Sequence, residues 1–255
     1  MQKVLINGIN GRMGKEVLKQ VDESDEFEIF CGVDKFDNSS FNFPIYTDIN
    51  LIKEIPDVII DFSIPEATMN ILEFAKKYSI PIVIATTGFS DEQLSIIEEV
   101  SKIIPVFRSG NMSYEINVMA DIVSKLATQL KDSDIEIIET HHRNKIDSPS
   151  GTALILADSI NDALNNEMDY QYNRHSIRQK RPDKEIGIHS IRGGTEVGKH
   201  TVMFLGENET FELTHTVTSR SIFAKGALKA AKFLSSQKAG LYNMKDLIWA
   251  SGRES

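Results

Sequence analysis

The sequence predicts an α/β protein with a doubly wound parallel sheet of the Rossmann type, followed by a smaller α+β region. Short β-branched runs with consecutive apolar residues alternate with amphipathic helical patterns through the first hundred residues, as expected for strands buried on both faces of a parallel sheet. A glycine-rich segment, Gly8–Gly14, directly follows the first run. Such a turn between a strand and a helix is typical of dinucleotide-binding folds.

Five strands and three helices are predicted in this first region. Pro65 and Ser90 stand at two helix starts, since these residue types favour the first turn and the N-cap. The polar and aromatic segment Asp37–Pro44 is expected to be a loop. The strands are expected at 3–7, 28–33, 58–62, 82–86 and 104–107, and the helices at 13–21, 66–78 and 91–101.

Beyond about residue 112 the pattern changes, and we predict a mixed or antiparallel sheet with helices on one face. The strands of this second sheet are expected at 135–140, 186–192, 201–205 and 211–218. The helices are expected at 114–130, 152–165 and, as the last element of the chain, 222–234.

Composition argues against several classes of protein. The 255 residues carry a formal net charge of −9, which disfavours nucleic acid and anionic membranes as partners. The only cysteine, Cys31, allows neither an intramolecular disulfide nor a thiolate metal cluster, which fits a reducing cytoplasm. No apolar run reaches membrane-spanning length, and no secretory signal is apparent. We therefore expect a cytoplasmic protein without a nucleic-acid or membrane partner.

The glycine segment is expected to bind NADH or NADPH, because glycines permit the tight turn and let a pyrophosphate approach the amides at the helix N-terminus. Asp34 stands twenty residues after Gly14, where a carboxylate accepts hydrogen bonds from the adenosine ribose. Lys35 would instead favour a 2′-phosphate, so the cofactor preference stays open. The alternative is a tight turn without ligand and a solvated Lys35. The expected loop contacts are Gly8, Ile9, Asn10, Gly11, Arg12 and Met13.

Two further loops follow strands of the same predicted sheet. Ligands bind at the carboxyl ends of such strands, so these loops are expected to reach the cofactor, although ordinary polar turns have the same composition. Their residues are Ala85, Thr86, Thr87, Ser109, Gly110, Asn111 and Met112.

Two histidines and two cations gather in residues 139–152, at the end of a predicted strand. A histidine exchanges protons near neutral pH, and a lysine supplies a positive charge. Neighbouring side chains on a strand face opposite sides, so His141 and His142 are expected to differ in role. Their adjacency does not predict a metal site. A solvated basic strand end is the alternative. The remaining histidines are interpreted as structural or surface residues: His175, His189, His200 and His215.

The start of the next helix predicts an anion site. Ser150 is the expected N-cap, so Gly151 and Thr152 fall in the first turn, whose amides have no partner within the helix. The helix dipole favours an anion there, and a glycine opens access to the backbone. A plain capped helix start is the alternative.

Together these motifs resemble the 4-hydroxy-tetrahydrodipicolinate reductase family, also called dihydrodipicolinate reductase. The most specific of them is the run His-His-Arg-x-Lys-x-Asp-x-Pro-Ser-Gly-Thr at 141–152. The resemblance also covers 7–14, 61–65, 86–89, 190–194, 198–201, 214–215, 219–220 and 240–242 with Met244.

The resemblance implies reduction of a small cyclic dicarboxylate, 4-hydroxy-tetrahydrodipicolinate, to tetrahydrodipicolinate in diaminopimelate and lysine biosynthesis, with NADH or NADPH. It implies a dinucleotide-binding domain from 1–112 and 221–255, and a substrate-binding and tetramerisation domain at 113–220, hence a homotetramer. His141 would then be the proton donor or acceptor and Lys145 a proton donor. His142 would contact the substrate, and Gly151 and Thr152 would hold one of its carboxylates.

Two other functions remain compatible with the sequence. A two-domain dinucleotide enzyme such as aspartate-semialdehyde dehydrogenase would need a catalytic thiol, and Cys31 lies in the second predicted strand, beside Asp34. A non-catalytic nucleotide sensor would keep the glycine segment but need not keep His141 and Lys145 together.

Overall fold

The first 108 residues repeat strand and helix in alternation. The structure, a computed structural model, describes residues 1–37 and 41–251. A short 3-10 helix, Ile49–Leu51, lies between the third and fourth strands. In chain order the elements are β1 (Gln2–Asn7), α1 (Arg12–Asp22), β2 (Phe27–Val33), β3 (Ile45–Tyr46), β4 (Val58–Asp61), α2 (Pro65–Tyr78), β5 (Ile82–Ile84), α3 (Asp91–Ser101) and β6 (Pro105–Arg108).

The remaining elements form a second sheet and then return to the first. They are α4 (Tyr114–Gln129), β7 (Asp134–His141), α5 (Gly151–Ala163), β8 (Asp169–Gln171), β9 (Glu185–Arg192), β10 (Gly198–Leu205), β11 (Thr210–Val217), α6 (Ser221–Leu234), β12 (Gly240–Tyr242) and α7 (Met244–Ser251).

The first sheet has seven strands in the order β12-β6-β5-β4-β1-β2-β3, and every neighbouring pair is parallel. Alternate residues face opposite sides, so Val4 and Ile6 pack with α1 and α6, whereas Leu5 and Ile59 pack with α2 and α3. The predicted doubly wound Rossmann-type sheet is confirmed. Its strand order reverses between β1 and β4, where the carboxyl ends leave a crevice for a ligand.

The second sheet is mixed, with the order β11-β10-β7-β9-β8. Strands β7, β8 and β9 are parallel, and β10 is antiparallel to β7 and β11. One face packs against α4 and α5 through an apolar core that includes Ile137, Ile188 and Phe204. The predicted arrangement, a mixed sheet with helices on one face, is therefore confirmed.

The chain divides into two compact units. Unit 1 combines Met1–Tyr114 with the described residues from Arg220 onward, and unit 2 is Glu115–Ser219. Residues 252–255 of the predicted range 221–255 lie outside the described residues. In the described residues, no helix is long and apolar enough to cross a membrane.

Several short elements differ from the prediction. The helix ending at Leu234 is not the last element, because β12 and α7 follow it and β12 adds an edge strand beside β6. The strand predicted at 82–86 ends at Ile84. Within the predicted loop 37–44, residue 37 and residues 41–44 are irregular, and residues 38–40 lie outside the described residues.

Helix starts follow the local chemistry of the sequence. Pro65 is the first residue of α2, as predicted. Ser90 caps α3, and its side chain and that of Gln93 form a reciprocal capping box. Ser150 caps α5 through a hydrogen bond from the Ala153 amide to its hydroxyl.

Candidate active site

The glycine segment after β1 forms a turn that excludes side chains. Gly8 has φ of +83°, and a Cβ there would lie 2.7 Å from the Phe62 carbonyl oxygen. A Cβ on Gly14, in α1, would lie 2.3 Å from the Gly8 carbonyl oxygen. Both distances are shorter than real Cβ contacts, so glycine is required at each position. The turn leads directly into the N-terminus of α1, where anions are favoured.

A cavity of about 1430 Å³ opens in unit 1 at the carboxyl ends of β1 and β4. Asp34 stands in its wall, and the carboxylate Oδ2 accepts a hydrogen bond from the Asn10 amide at 2.8 Å. Each carboxylate oxygen accepts more than one hydrogen bond, so Asp34 retains capacity for ribose hydroxyls. The glycine turn, the helix start and the Asp34 carboxylate are the groups that bind the pyrophosphate and the ribose of a dinucleotide. The predicted contacts that line it are Gly8, Asn10, Gly11, Asp34 and Lys35.

The other predicted cofactor contacts lie outside this lining. Ile9 and Met112 have buried side chains within the apolar core of unit 1. The Thr86 hydroxyl is buried and donates to Asp61, so these three residues have only backbone groups to offer. Those absent from the lining are Ile9, Arg12, Met13, Ala85, Thr86, Thr87, Ser109, Gly110, Asn111 and Met112.

Asp61, at the end of β4, is fully buried beneath this loop region. Its Oδ1 accepts from Asn7 Nδ2 at 2.8 Å and Ser63 Oγ at 2.5 Å, and its Oδ2 accepts from the hydroxyls of Thr68 and Thr86. Burial raises the pKa of Asp61, and these hydrogen bonds oppose the rise. The carboxyl group thus ties the ends of β1, β4 and β5 to the start of α2.

Cys31 does not serve as a catalytic thiol. It is fully buried in β2, and burial raises its pKa to about 12. The thiol therefore stays protonated at neutral pH, whereas thiol catalysis needs the thiolate. This observation removes the support for an aspartate-semialdehyde dehydrogenase type of chemistry at this residue.

In unit 2, the buried residues of strand β7 are apolar in its first half and polar at its end. Ile135, Ile137, Glu139 and His141 occupy alternate positions and are all buried, so they share the face that is covered by helices. The last two place a carboxylate and an imidazole at the end of the strand, below residues 142–150, which lead to α5.

Glu139 is fully buried and has a donor on every side. Its Oε2 accepts from His141 Nδ1 at 2.5 Å, and Arg192 donates to both carboxylate oxygens at 2.7 Å. The Ser150 amide donates to Oε1 at 3.1 Å. Burial alone would raise the pKa of Glu139, but hydrogen bonds from Arg192, Ser190 and His141 outweigh it and lower this pKa to about 2. Glu139 is therefore ionised.

The buried environment of His141 favours its neutral form. Burial lowers its pKa; the hydrogen bond and charge of Glu139 oppose this, while the charges of Lys145 and Arg192 lower it further. The His200 ring packs edge-on against the His141 ring, with centroids 5.1 Å apart. Lys145 is thus close enough to His141 for its charge to lower the pKa of the ring.

The predicted cation and the second histidine lie in the turn after β7. Lys145 Nζ is 3.0 Å from Asp147 Oδ1, with about a fifth of its side chain exposed. The His142 amide donates to the Glu196 carbonyl at 2.7 Å, and the His142 carbonyl accepts from the Lys145 amide at 3.1 Å. The half-buried His142 therefore belongs to an ordered turn.

The start of α5 adjoins this cluster. Gly151 is exposed, and a Cβ there would meet nothing within 4 Å, so the first turn is open at this residue. The Ser150 hydroxyl lies 3.1 Å from His200 Nε2. His200 is 97% buried, and burial, with a further contribution from His141, lowers its pKa to about 3. The sequence predicts a structural or surface role for His200, and the structure shows it as a buried part of this cluster.

The sequence predictions include His141 but not its partner Glu139, nor Arg192, which binds Glu139. In unit 1 they do not include the buried Asp61. The sequence contains one signal that identifies Glu139: alternation in β7 places it on the same inward face as Ile135 and Ile137. A glutamate in an apolar row indicates a buried, paired carboxylate. Within the described residues, no group of three His, Cys, Asp or Glu side chains is arranged to hold a metal ion.

Comparison with known families places the chain. The family model described as dihydrodipicolinate reductase, N-terminus, matches residues 2–112, and the one described as its C-terminus matches residues 115–248. A protein of Caldanaerobacter subterraneus subsp. tengcongensis named 4-hydroxy-tetrahydrodipicolinate reductase is 51% identical over 97% of this chain and 98% of its own length. One of the same name from Brachyspira hyodysenteriae is 45% identical over 96% and 99%.

Solved structures agree with this placement. Dipicolinate-bound dihydrodipicolinate reductase from Paenisporosarcina sp. TG-14 superposes with a TM-score of 0.81 at 26% identity, covering 95% of this chain and 97% of that one. Amine dehydrogenase from Mycobacterium smegmatis, at 9% identity, a TM-score of 0.65 and 95% coverage of both chains, shares the fold alone. With both family models and two relatives matched over nearly the whole chain, this protein is an oxidoreductase that belongs to the 4-hydroxy-tetrahydrodipicolinate reductase family.

Proposed function

We propose that this chain reduces 4-hydroxy-tetrahydrodipicolinate to tetrahydrodipicolinate, on the route to diaminopimelate and lysine, and that unit 2 binds the substrate. The reaction takes up one hydride and one proton and releases water. The observation that carries the proposal is the cluster in which Glu139 contacts both His141 and the Ser150 amide at the open start of α5, with the charge of Lys145 acting on His141. A proton-exchanging group, a cation and an anion site are what a cyclic dicarboxylate requires.

Unit 1 is proposed to bind NADH or NADPH, which supplies the hydride when bound. Gly8, Asn10 and Gly11 would hold the pyrophosphate at the start of α1. Asp34 would accept the ribose hydroxyls of NADH, and Lys35 would pair with the 2′-phosphate of NADPH, so both cofactors should be used. Backbone groups would complete the site at Ile9, Arg12, Met13, Ala85, Thr86, Thr87, Ser109, Gly110, Asn111 and Met112.

One substrate carboxylate is proposed to sit on the first turn of α5, at Gly151 and Thr152, with His142 beside it. Support comes from the open space above Gly151 and from the cap at Ser150. A relative of similar fold is described as dipicolinate-bound, and dipicolinate is a planar dicarboxylate. The positive end of a helix and a nearby cation favour such a group.

His141 and Lys145 are proposed to carry the proton transfers. Ionised Glu139 stabilises a positive charge on His141 once it has taken a proton, which suits a group that acts as acceptor and then as donor. Lys145, still partly exposed, would neutralise the substrate's charge and donate a proton. A homotetramer and a cytoplasmic location complete the proposal, the latter because the reaction draws on the cell's nicotinamide pool.

Steady-state kinetics tests this assignment. The upstream synthase, pyruvate and aspartate semialdehyde generate the substrate, and the oxidation of NADH and of NADPH is followed separately. His141→Gln and Lys145→Met should each lower kcat by about 10²–10⁴-fold, because a positioned general acid contributes that much. NADH affinity should stay unchanged, since its proposed site lies in unit 1.

The exposed Lys125 on α4 provides the matched control for the lysine variant, and Lys125→Met should retain the turnover. Wild-type kcat in both the His141 and the Lys145 variants would refute the assignment of proton transfer. A wild-type protein that binds NADH without any turnover would instead favour a nucleotide sensor.

A further inference from the structure

Glu139 occupies the centre of the unit 2 cluster without reaching its surface. Each of its carboxylate oxygens accepts at least two hydrogen bonds: Oε1 from the Ser150 amide and Arg192, and Oε2 from His141 Nδ1 and Arg192. The Ser190 side chain is a further donor. These donors satisfy an ionised carboxylate fully, so the cost of burying the charge is offset locally. A carboxylate enclosed in this way is unable to touch the substrate and acts only through its partners.

The first partner is His141. An ionised carboxylate only accepts hydrogen bonds, so His141 Nδ1 must carry the hydrogen in the contact with Oε2. The neutral ring then has its free lone pair on Nε2. A Cβ on Gly198, in β10, would lie 3.1 Å from that Nε2, and the glycine therefore leaves this side of the ring uncrowded.

The second partner is the backbone at the start of α5. The Ser150 amide donates to the same carboxylate, and the Ser150 hydroxyl caps the helix through the Ala153 amide. Gly151 follows immediately. One carboxylate thus holds both the imidazole and the helix start, and Arg192 holds the carboxylate through two parallel hydrogen bonds.

We propose that Glu139 is a positioning residue that keeps His141 in the Nδ1–H tautomer and fixes the start of α5 relative to that ring. The inference rests on the proposed roles of His141 and of the α5 start. It separates two effects of Glu139: loss of the tautomer should reduce kcat, and displacement of the α5 start should raise the KM for the dicarboxylate.

The variant Glu139→Gln tests the proposal, because an amide keeps the shape but removes the charge that requires Nδ1–H. We expect kcat to fall by about 10²-fold or more, the lower end of a general acid's contribution, and the substrate KM to rise several-fold. NADH affinity should not change. The acid limb of the pH profile, which reports protonation of the neutral His141 ring, should move to lower pH, since imidazolium loses the Glu139 charge while Lys145, Arg192 and His200 still face it.

The matched control is Glu185→Gln. Glu185 is a buried carboxylate at the start of β9, whereas Arg192 is at the end of that strand, and Glu185 pairs with Arg174 rather than with a histidine. The Glu185→Gln protein should be less stable than the wild type, with no change in kcat, in the pH profile or in the His141 tautomer. Glu139→Asp, which keeps the charge on a shorter side chain, should recover part of the kcat that Glu139→Gln loses.

Direct observation of the tautomer keeps the proposal testable even where Glu139→Gln fails to fold. Nitrogen NMR of histidine-labelled wild-type protein, with His141 assigned by the signals missing in His141→Gln, should show Nδ1–H. An Nε2–H ring in the wild type would overturn the proposal, and so would wild-type kcat in a folded Glu139→Gln. Unchanged activity in His141→Gln would instead refute the proposed function of His141, whatever the tautomer.

Discussion

At the scale of single residues, burial of His200 makes the stability of the protein sensitive to acid. Its pKa of about 3 in the folded chain lies below the ordinary value of 6.5, because burial, helped by His141, disfavours the charged ring. Between these two values the unfolded chain binds the proton and the folded chain does not. The free energy of unfolding therefore falls as the pH decreases from 6.5 toward 3.

At pH 5 this linkage costs about 2 kcal/mol, at 1.36 kcal/mol per pH unit below 6.5. Urea unfolding followed by far-UV circular dichroism at pH 7 and pH 5 measures it. His200→Gln should lose about 2 kcal/mol less than the wild type between these values, and the exposed His175→Gln should behave like the wild type. Glu139 does not interfere, because its lowered pKa acts below pH 4.5. Equal acid sensitivity in His200→Gln and the wild type would contradict the prediction.

At the scale of elements, the start of α5 is held by three contacts on one residue. Ser150 donates its amide to Glu139, its hydroxyl accepts from Ala153, and the same hydroxyl contacts His200. A helix start fixed in this way presents its first-turn amides in one direction. Preorganised donors bind an anion at little cost in conformational entropy, so the proposed carboxylate site is a property of the helix and its cap.

Thr152→Val tests this site, because it removes the hydroxyl and keeps the shape of the side chain. Loss of a hydrogen bond to a charged group, worth about 1.5–3 kcal/mol, should raise the substrate KM by roughly 10- to 160-fold and leave NADH binding unchanged. Thr128→Val, on the exposed side of α4, is the matched control. Pyridine-2,6-dicarboxylate bound away from an empty α5 start in a crystal of the complex would disprove the site.

Close packing between elements also determines which amino acid is possible at a given position. Gly226 lies in the middle of α6, where alanine would be favoured by about 1 kcal/mol on propensity alone. A Cβ there would lie 1.7 Å from the Met112 carbonyl oxygen. The glycine therefore lets α6 approach the backbone that follows β6, and this close approach outweighs the helix propensity.

At the scale of the whole molecule, the unit 2 sheet has one face against α4 and α5 and a second face with partly exposed side chains. Because side chains alternate, the face opposite α4 and α5 carries Ile138, Ile191 and Met203 across three neighbouring strands. Ile191 is 51% exposed. Their direct cross-strand partners are polar residues, among them Glu136, Thr140 and Thr201, so this face mixes apolar and polar side chains. The proposed homotetramer would bury it.

Light scattering coupled to gel filtration measures this assembly. The wild type should have a mass of about four times 28.6 kDa, and Ile191→Glu should shift the population to smaller species, because a charge in an apolar interface is costly. Ile103→Glu places the same charge at an exposed apolar residue of unit 1 and should leave the mass unchanged. A wild type that elutes as a monomer would reject the proposal.

The predicted elements that were found share one property: their signals are local. β1 has four consecutive buried residues, 4–7, and α3 has its capping box within four residues of sequence. The missed strands β3, β8 and β12 have two or three residues each. So short a segment has no measurable period, and it becomes a strand only because a longer neighbour offers hydrogen bonds.

The sequence by itself determined the fold class, the glycine turn and the segment around His141 and Lys145, since each depends on a local pattern of residue types. Only the tertiary structure decided which groups surround His141. Glu139 and Arg192 are 53 residues apart, and Ser150 and His200 are 50 apart. Strand pairing in the second sheet brings these residues together, because β9 and β10 flank β7, and no local pattern encodes that order.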